Sequence, residues 1–179
     1  TAAARPIVFQ KSGVGANPIV TASGSNVAGS VMDAVIRIQG ADYVTFDAID
    51  VKENAANTDT ALATNKMTEF GYALLYNSAT DGAQNNTIKN SNISLSRTYA
   101  NSFGIYSNVR HTASVAATLA DITDATNGPN KGNKFYSNTI NNVNFGVVLI
   151  GSATAANMDE GNDVGGASGA TGNTISNYG

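Results

Sequence analysis

Cysteine is absent from this 179-residue chain, and so is tryptophan. The first absence excludes disulfides, thiol nucleophiles and thiolate metal sites. It leaves the compartment open, because many bacterial secreted proteins also lack cysteine. Charge is scarce: only 13% of residues are Asp, Glu, Lys or Arg, and the net charge is −3. A pI near 4.9, with ten basic residues scattered along the chain, gives no electrostatic footprint for nucleic acid. No apolar run approaches the roughly 18 residues of a membrane-spanning helix. The longest strongly apolar stretch is FGVVLI at 145–150. The chain opens TAAARPIVFQ, without the basic start and apolar core of a secretory signal.

What is present points one way. Asn, Ser, Thr and Gly supply 74 of the 179 residues, and 27 more are Ala. Helix-favouring Glu, Lys and Arg are few, while Ile/Val clusters recur, so most helical architectures are set aside. The low net charge and those clusters also argue against disorder.

The chain repeats itself. A side-chain amide or carboxylate is followed two residues later by an apolar residue, and five beyond that by another. Asp42-Val44-Ile49, Asn86-Ile88-Ile93 and Asn133-Phe135-Ile140 fit this spacing, and a fourth copy opens at Asn173-Ile175. Its next apolar position falls just past Gly179, which predicts a piece of a longer protein. Beside each copy runs a short apolar strand: Val35 to Gln39, Tyr72 to Asn77, Gly104 to Asn108 and Gly146 to Ile150. Alternating runs such as Val44-Thr45-Phe46 place one face inward and one outward. Asn, Asp, Ser and Gly separate the strands, all residues suited to tight turns. Short repeated strands without hairpin signals predict a solenoid in which each strand pairs with the next coil. The recurring Asn/Asp corner predicts either a ladder of side-chain amides or a row of ordinary turn formers.

These phrases carry a resemblance. GADYVTFDAIDV (40–51), NNTIKNSNISLS (85–96), FGIYSN (103–108), GNKFYSNTINNVNFGVVLIG (132–151) and GNTISNYG (172–179) resemble right-handed parallel β-helix repeats. More narrowly, they are similar to the β-helix regions of large secreted surface proteins of Bacteroidota, cargo of type IX secretion. The opening PIVFQKSGVGANPIVTASG looks like a first coil of such a region. The resemblance implies an all-β fold, a single parallel β-helix segment over 1–179. It also implies a secreted or cell-surface location on the outer face of a Gram-negative envelope. The likeness is structural and specifies no reaction.

The insertions are unequal. Between the apolar strand and the following Asn/Asp the first copy has only Gly40-Ala41. The later copies carry the insertions 78–85, 109–132 and 152–172, and a separate insertion runs from Lys52 to Phe70. Insertions from one corner of successive repeats are expected to stack into a wall, the usual place for a binding face. Neutral drift of surface loops is the alternative.

Chemistry is sparse. Asn57-Thr58-Asp59 matches one motif of polygalacturonase-like hydrolases, but no Asp-Asp or Gly-His-Gly accompanies it, and glycoside hydrolysis needs two carboxylates. Any Ser/His/Asp triad must use His111, the single histidine, beside Arg110. Arg97 and Arg110 are the candidate bases for lyase chemistry, with no acids placed near them. Calcium is the one cofactor suggested: Asp159, Glu160 and Asp163 supply hard oxygens among Asn and Gly, without EF-hand or nonapeptide spacing. Gly165, Gly166 and Gly169 lack the strand–lysine–helix context of a phosphate loop. Tyr99, Tyr106 and Tyr136 could stack on sugar rings near the corner loops. Asp59-Thr60-Ala61 resembles a short bacterial O-glycosylation site, and Asn85 and Asn92 head Asn-X-Thr/Ser triplets.

The expectation is therefore a non-catalytic, adhesin-like scaffold presenting loops. Its partners would be glycans or other cell-surface proteins, together with further coils of the same chain. The second reading is a carbohydrate-active or glycan-binding β-helix whose site is shared with coils elsewhere.

Overall fold

In the computed structural model the described residues are 5–24, 26, 33–61, 63–109 and 121–179. The protein is all-β. Helical content among these residues is two 3₁₀ turns, Ala155–Asn157 and Gly169–Thr171. The chain makes β1 (Ile7–Gln10), β2 (Ile19–Thr21) and β3 (Ala34–Gln39), then β4 (Val44–Asp47), β5 (Asp50–Lys52) and β6 (Phe70–Leu75). A third round gives β7 (Thr87–Lys89), β8 (Asn92–Ser94) and β9 (Phe103–Asn108). A fourth gives β10 (Lys134–Tyr136), β11 (Thr139–Val143) and β12 (Phe145–Ile150), followed by β13 (Asp163–Val164) and β14 (Thr174–Tyr178).

Consecutive strands fall in different sheets, and each strand pairs with the third one along. Sheet 1 has the order β1-β4-β7-β10-β13, sheet 2 the order β2-β5-β8-β11-β14, and sheet 3 the order β3-β6-β9-β12. Every one of these pairings is parallel. One round of three strands therefore forms a layer, and layers stack at about 4.8 Å.

Period-two alternation decides which side chains meet. Phe46, Ile88 and Phe135 form one inward column on sheet 1, and Val51, Ile93 and Ile140 form another on sheet 2. Tyr72, Leu74 and Ile105 close the same core from sheet 3. Ile88, Ile93, Ile105 and Ile140 are wholly buried, in keeping with the apolar stacking that the repeat implies. A buried aliphatic side chain contributes about 1.5–3 kcal/mol.

Two register expectations are corrected here. The first copy runs through Phe46 and Val51 rather than Val44 and Ile49, because Phe46 pairs with Ile88 and Val51 with Ile93. A slip of two keeps every side chain on its own face, so alternation alone cannot detect it. The fourth copy of the repeat, which starts the fifth layer, opens at Asn162 and Val164, since Val164 pairs with Phe135. Asn173-Ile175 belongs one corner later, with Ile175 opposite Ile140. The phrase Asn-X-apolar occurs at two of the three corners of a layer, as in Asn133-Phe135 and Asn138-Ile140.

Both corners carry amide ladders. At the turn from sheet 3 to sheet 1, the Val44 amide donates to Asn86 Oδ1 at 2.9 Å, Asn86 N to Asn133 Oδ1 at 2.9 Å, and Asn133 N to Asn162 Oδ1 at 2.8 Å. The Nδ2 groups of Asn86 and Asn133 donate sideways to the carbonyls of Ala41 and Ala83. At the turn from sheet 1 to sheet 2, Ser91 N donates to Asn138 Oδ1 and Asn138 N to Asn173 Oδ1. Asn suits these bends because one side chain both accepts and donates, satisfying backbone groups that the turn removes from the sheets.

Sheet 3 approaches sheet 2 through a glycine column, Gly71, Gly104 and Gly146, where Ile93, Ile140 and Ile175 fill the space a Cβ would take. At the first and last layers the strand edges are open. Ile7, Phe9 and Ile19 are exposed at one end, and Val164, Ile175 and Tyr178 at the other.

Candidate functional site

The described residues of the turns from sheet 3 to sheet 1 are 40–43, 76–86, 109 with 121–133, and 151–162, so three of the insertions share a corner. They touch one another. Thr123 N donates to Ala79 O at 2.8 Å, and Gly82 N to Asn127 O at 2.7 Å. The next pair of loops is joined by Gly132 N to Glu160 O, Asn157 Nδ2 to Ile122 O, and Ser152 and Thr154 hydroxyls to Asp121 Oδ2. Tyr76, Val109 and Ile122 form an apolar knot beneath. The insertion 152–172 is divided: its first part joins this wall, while residues 165–173 turn at the following corner.

Asp159, Glu160 and Asp163 lie at the edge of the wall, but they do not converge. Asp159 Oδ1 accepts the Asn130 amide at 3.0 Å, and its Oδ2 is buried without a partner. Asp163 accepts the Tyr136 hydroxyl at 2.8 Å and the Gly166 amide at 2.9 Å. Among the described residues, no group of three or more Asp, Glu, His or Cys side chains is arranged to hold a metal ion. His111 and Arg110 lie outside the described residues.

The tyrosines are corrected in part. Tyr99 is fully buried and Tyr106 nearly so, where the sequence suggested exposed sugar platforms. Tyr106 stacks on Phe70 at 4.3 Å, on the outward side of sheet 3, and Tyr136 remains partly exposed. Asp59 caps the turn of its own loop, accepting Ala61 N and the Thr64 hydroxyl, while Asn57 is buried. The motif Asn57-Thr58-Asp59 thus splits between interior and surface. Asp59-Thr60-Ala61 lies on an outer turn. The Asn85 backbone is left-handed (φ 55°) where the chain enters sheet 1, and Asn92 bonds Asp50 on the open face of sheet 2.

A second cluster of acids, missed in the sequence, gathers at the turn from sheet 2 to sheet 3. Glu69 is fully buried, accepting the Tyr99 hydroxyl at 2.5 Å and the Asp33 amide at 3.1 Å. Glu53 accepts Asn54 N, Asn57 Nδ2, Thr68 N and the Thr68 hydroxyl. These residues are 36 positions apart in the extreme pair, Asp33 and Glu69, with no shared motif to link them.

Burial sets the protonation. It pushes the Glu69 carboxyl up to about 7 against the opposing hydrogen bond from Tyr99, and it pushes Asp159 up to about 7 as well. A carboxyl raised in the fold takes up protons that the unfolded chain has released, so its stabilisation is full below its unfolded value, near 4, and is lost as pH rises through 7. Thermal melting is expected at higher temperature at pH 5 than at pH 8.5. Asp159→Asn keeps the oxygen that caps Asn130 and should flatten that slope; an unaltered slope in both Asp159→Asn and Glu69→Gln would contradict the assignment.

Among the described residues no helix is long and apolar enough to cross a membrane. No family model, curated protein or solved structure matches the chain.

Proposed function

We propose that the chain is a segment of right-handed parallel β-helix serving as an extracellular, adhesin-like scaffold that presents the loop wall to glycans or to proteins of other surfaces. The observation that carries this reading is the wall itself: loops from successive layers bonded side by side on a base of short stacked strands. The cyclic order of the three sheets supports a helical winding, and right-handed crossovers are the rule for parallel strands. Open edges at both ends suit further coils of the same chain as neighbours. On this reading the protein works on the outer face of a Gram-negative envelope after type IX secretion, with calcium as its only candidate cofactor.

The test shortens the wall. Residues 110–120 are excised, keeping the apolar anchors Val109 and Ile122 and the Asp121 carboxylate that accepts Ser152 and Thr154. Halving a loop changes closure entropy by only about 0.6 kcal/mol, so the β-sheet spectrum and melting temperature should hold. Adhesion to cells, glycan-coated surfaces or an isolated partner should be lost. Full adhesion by a folded, shortened variant would leave the wall without a role and refute the reading.

A further inference from the structure

Asn127-Gly128 is the one Asn-Gly pair in the chain, and Asp81-Gly82 the one Asp-Gly pair. In such pairs the glycine nitrogen can reach the preceding side-chain carbonyl carbon and close a succinimide ring, because glycine puts no side chain in the way. The two pairs face each other in the loop wall, where Gly82 N donates to Asn127 O at 2.7 Å. The fit is close: a Cβ on Gly82 would sit 2.7 Å from Pro129 O and nearer still to Gly128 O. Flanking bonds complete this seam. Ala83 N donates to Asn130 Oδ1 at 2.8 Å, and Gln84 Nε2 to Thr126 O at 2.9 Å and Pro129 O at 3.1 Å.

The groups that ring closure would use are committed. Asn127 Nδ2 donates to Asp124 Oδ2 at 2.9 Å, and Asn127 N to Asp124 Oδ1 at 3.1 Å. Gly128 N, the nucleophile, donates to Asp124 O at 2.9 Å and lies in a buried residue, whereas Asn127 is exposed. Closing the ring swings the Asn127 side chain onto Gly128 N, so the bonds to Asp124 must break first. A shut seam therefore holds the pair unreactive, and a local opening of the loops releases it.

What the reaction leaves behind does not fit the closed seam. The Asn127 side-chain amide, then the Thr126 and Asn127 backbone amides, hold the Asp124 carboxyl below the usual carboxylate range, with a smaller pull from Lys131. Lys131 places its own Nζ on Ala125 O at 3.3 Å. A carboxylate at position 127 would meet that of Asp124 where an N–H donor now sits, two like charges in contact. In an isoaspartyl product the backbone runs through Cβ and Cγ and is one carbon longer. The carbonyl that accepts Gly82 N then leaves the main chain.

We propose that Asn127 is a spontaneous deamidation site guarded by the loop wall, and that its conversion holds the seam open, a one-way covalent switch. Gly128 N attacks Asn127 Cγ and gives up its proton, the C–N bond to the side-chain nitrogen breaks, and ammonia leaves. Water then opens the succinimide at either carbonyl, giving aspartate or isoaspartate. Water is the one co-reactant, and nothing is oxidised or reduced. Asn127 reacts ahead of Asp81 because a carboxylate is the poorer electrophile. The switch goes beyond the adhesive reading and holds whatever the wall meets.

The test is ageing of the purified chain at pH 8, in native buffer and in urea, with peptide mapping by mass. Asn127 should convert ahead of every other asparagine in urea, and at least tenfold more slowly in the native chain. Gln84→Leu, which loses two seam bonds, should speed native conversion several-fold at an unchanged melting temperature. The converted native fraction, separated by its added negative charge, and the Asn127→Asp variant should both exchange the Gly82 amide proton at least tenfold faster than the parent. The amides of β8 and β11 should keep their protection. Any of four results would overturn the proposal: equal conversion rates in buffer and urea, another asparagine converting ahead of Asn127, an unchanged rate in folded Gln84→Leu, or Gly82 exchange unaltered in both converted forms.

Discussion

Replacing Asn133 by leucine is expected to lower the melting temperature by roughly 10 °C. Asn133 is 1% exposed, and three partners depend on it: the Asn86 backbone amide, Asn86 Nδ2 and the Ala83 carbonyl. Leucine fills the volume but answers none of them. Each buried group left unpaired costs about 1–3 kcal/mol, so a total of about 4 kcal/mol is expected. For a domain of this size that corresponds to about 2–4 °C per kcal/mol. Asn92→Leu is the control, because its amide bonds Asp50 on an exposed face, and a change within about 0.5 kcal/mol is expected there. Equal losses in both variants would show that the ladder contributes no more than any surface amide.

The second large effect comes from adding one methyl group. At Gly104 a Cβ would sit 2.7 Å from the Gly146 carbonyl oxygen and closer still to Ile140 Cγ2. Neither can move away easily: Gly146 lies within β12, hydrogen-bonded to β9, and Ile140 is wholly buried. Gly104→Ala should therefore cost about 3 kcal/mol, at the upper end for overpacking, with sheet 3 forced away from sheet 2. Gly169→Ala, where nothing lies within 4 Å, should be near neutral. Denaturant melts of the two alanine variants check this, and a Gly104→Ala chain as stable as the parent would mean the sheets do not approach as described.

How much of this was legible in the sequence follows from what repeats. The strands show because an inward column of Ile, Val and Phe needs the same spacing in every layer. The shared corner shows because insertions interrupt a fixed phrase. Register within a layer does not show, since Val44 and Phe46 are equally apolar and face the same way. The division of 152–172 was hidden because Asn serves both corners, making Asn173 look like Asn133. The acid cluster was invisible for a different reason. Glu53 and Glu69 stand at the two ends of one loop, Tyr99 comes from the loop of the next layer, and they meet only because the layers stack. Tyr99 looked exposed because it sits in a polar segment, whereas its hydroxyl is drawn inward by Glu69.

The scaffold stands on three parallel sheets that stack in register from the first layer to the last. The absence of cysteine allows spin labels to be placed at will. Thr21 and Ser176 are both exposed, and they end one column through Lys52, Ser94 and Asn141 on sheet 2. Four strand spacings of about 4.8 Å place their backbones about 19 Å apart. Dipolar spectroscopy on the Thr21→Cys, Ser176→Cys double variant should give a single narrow distribution near that value, widened only by the label arms. A broad distribution, or a mean beyond about twice four strand spacings, would contradict the stacked arrangement and the scaffold built on it.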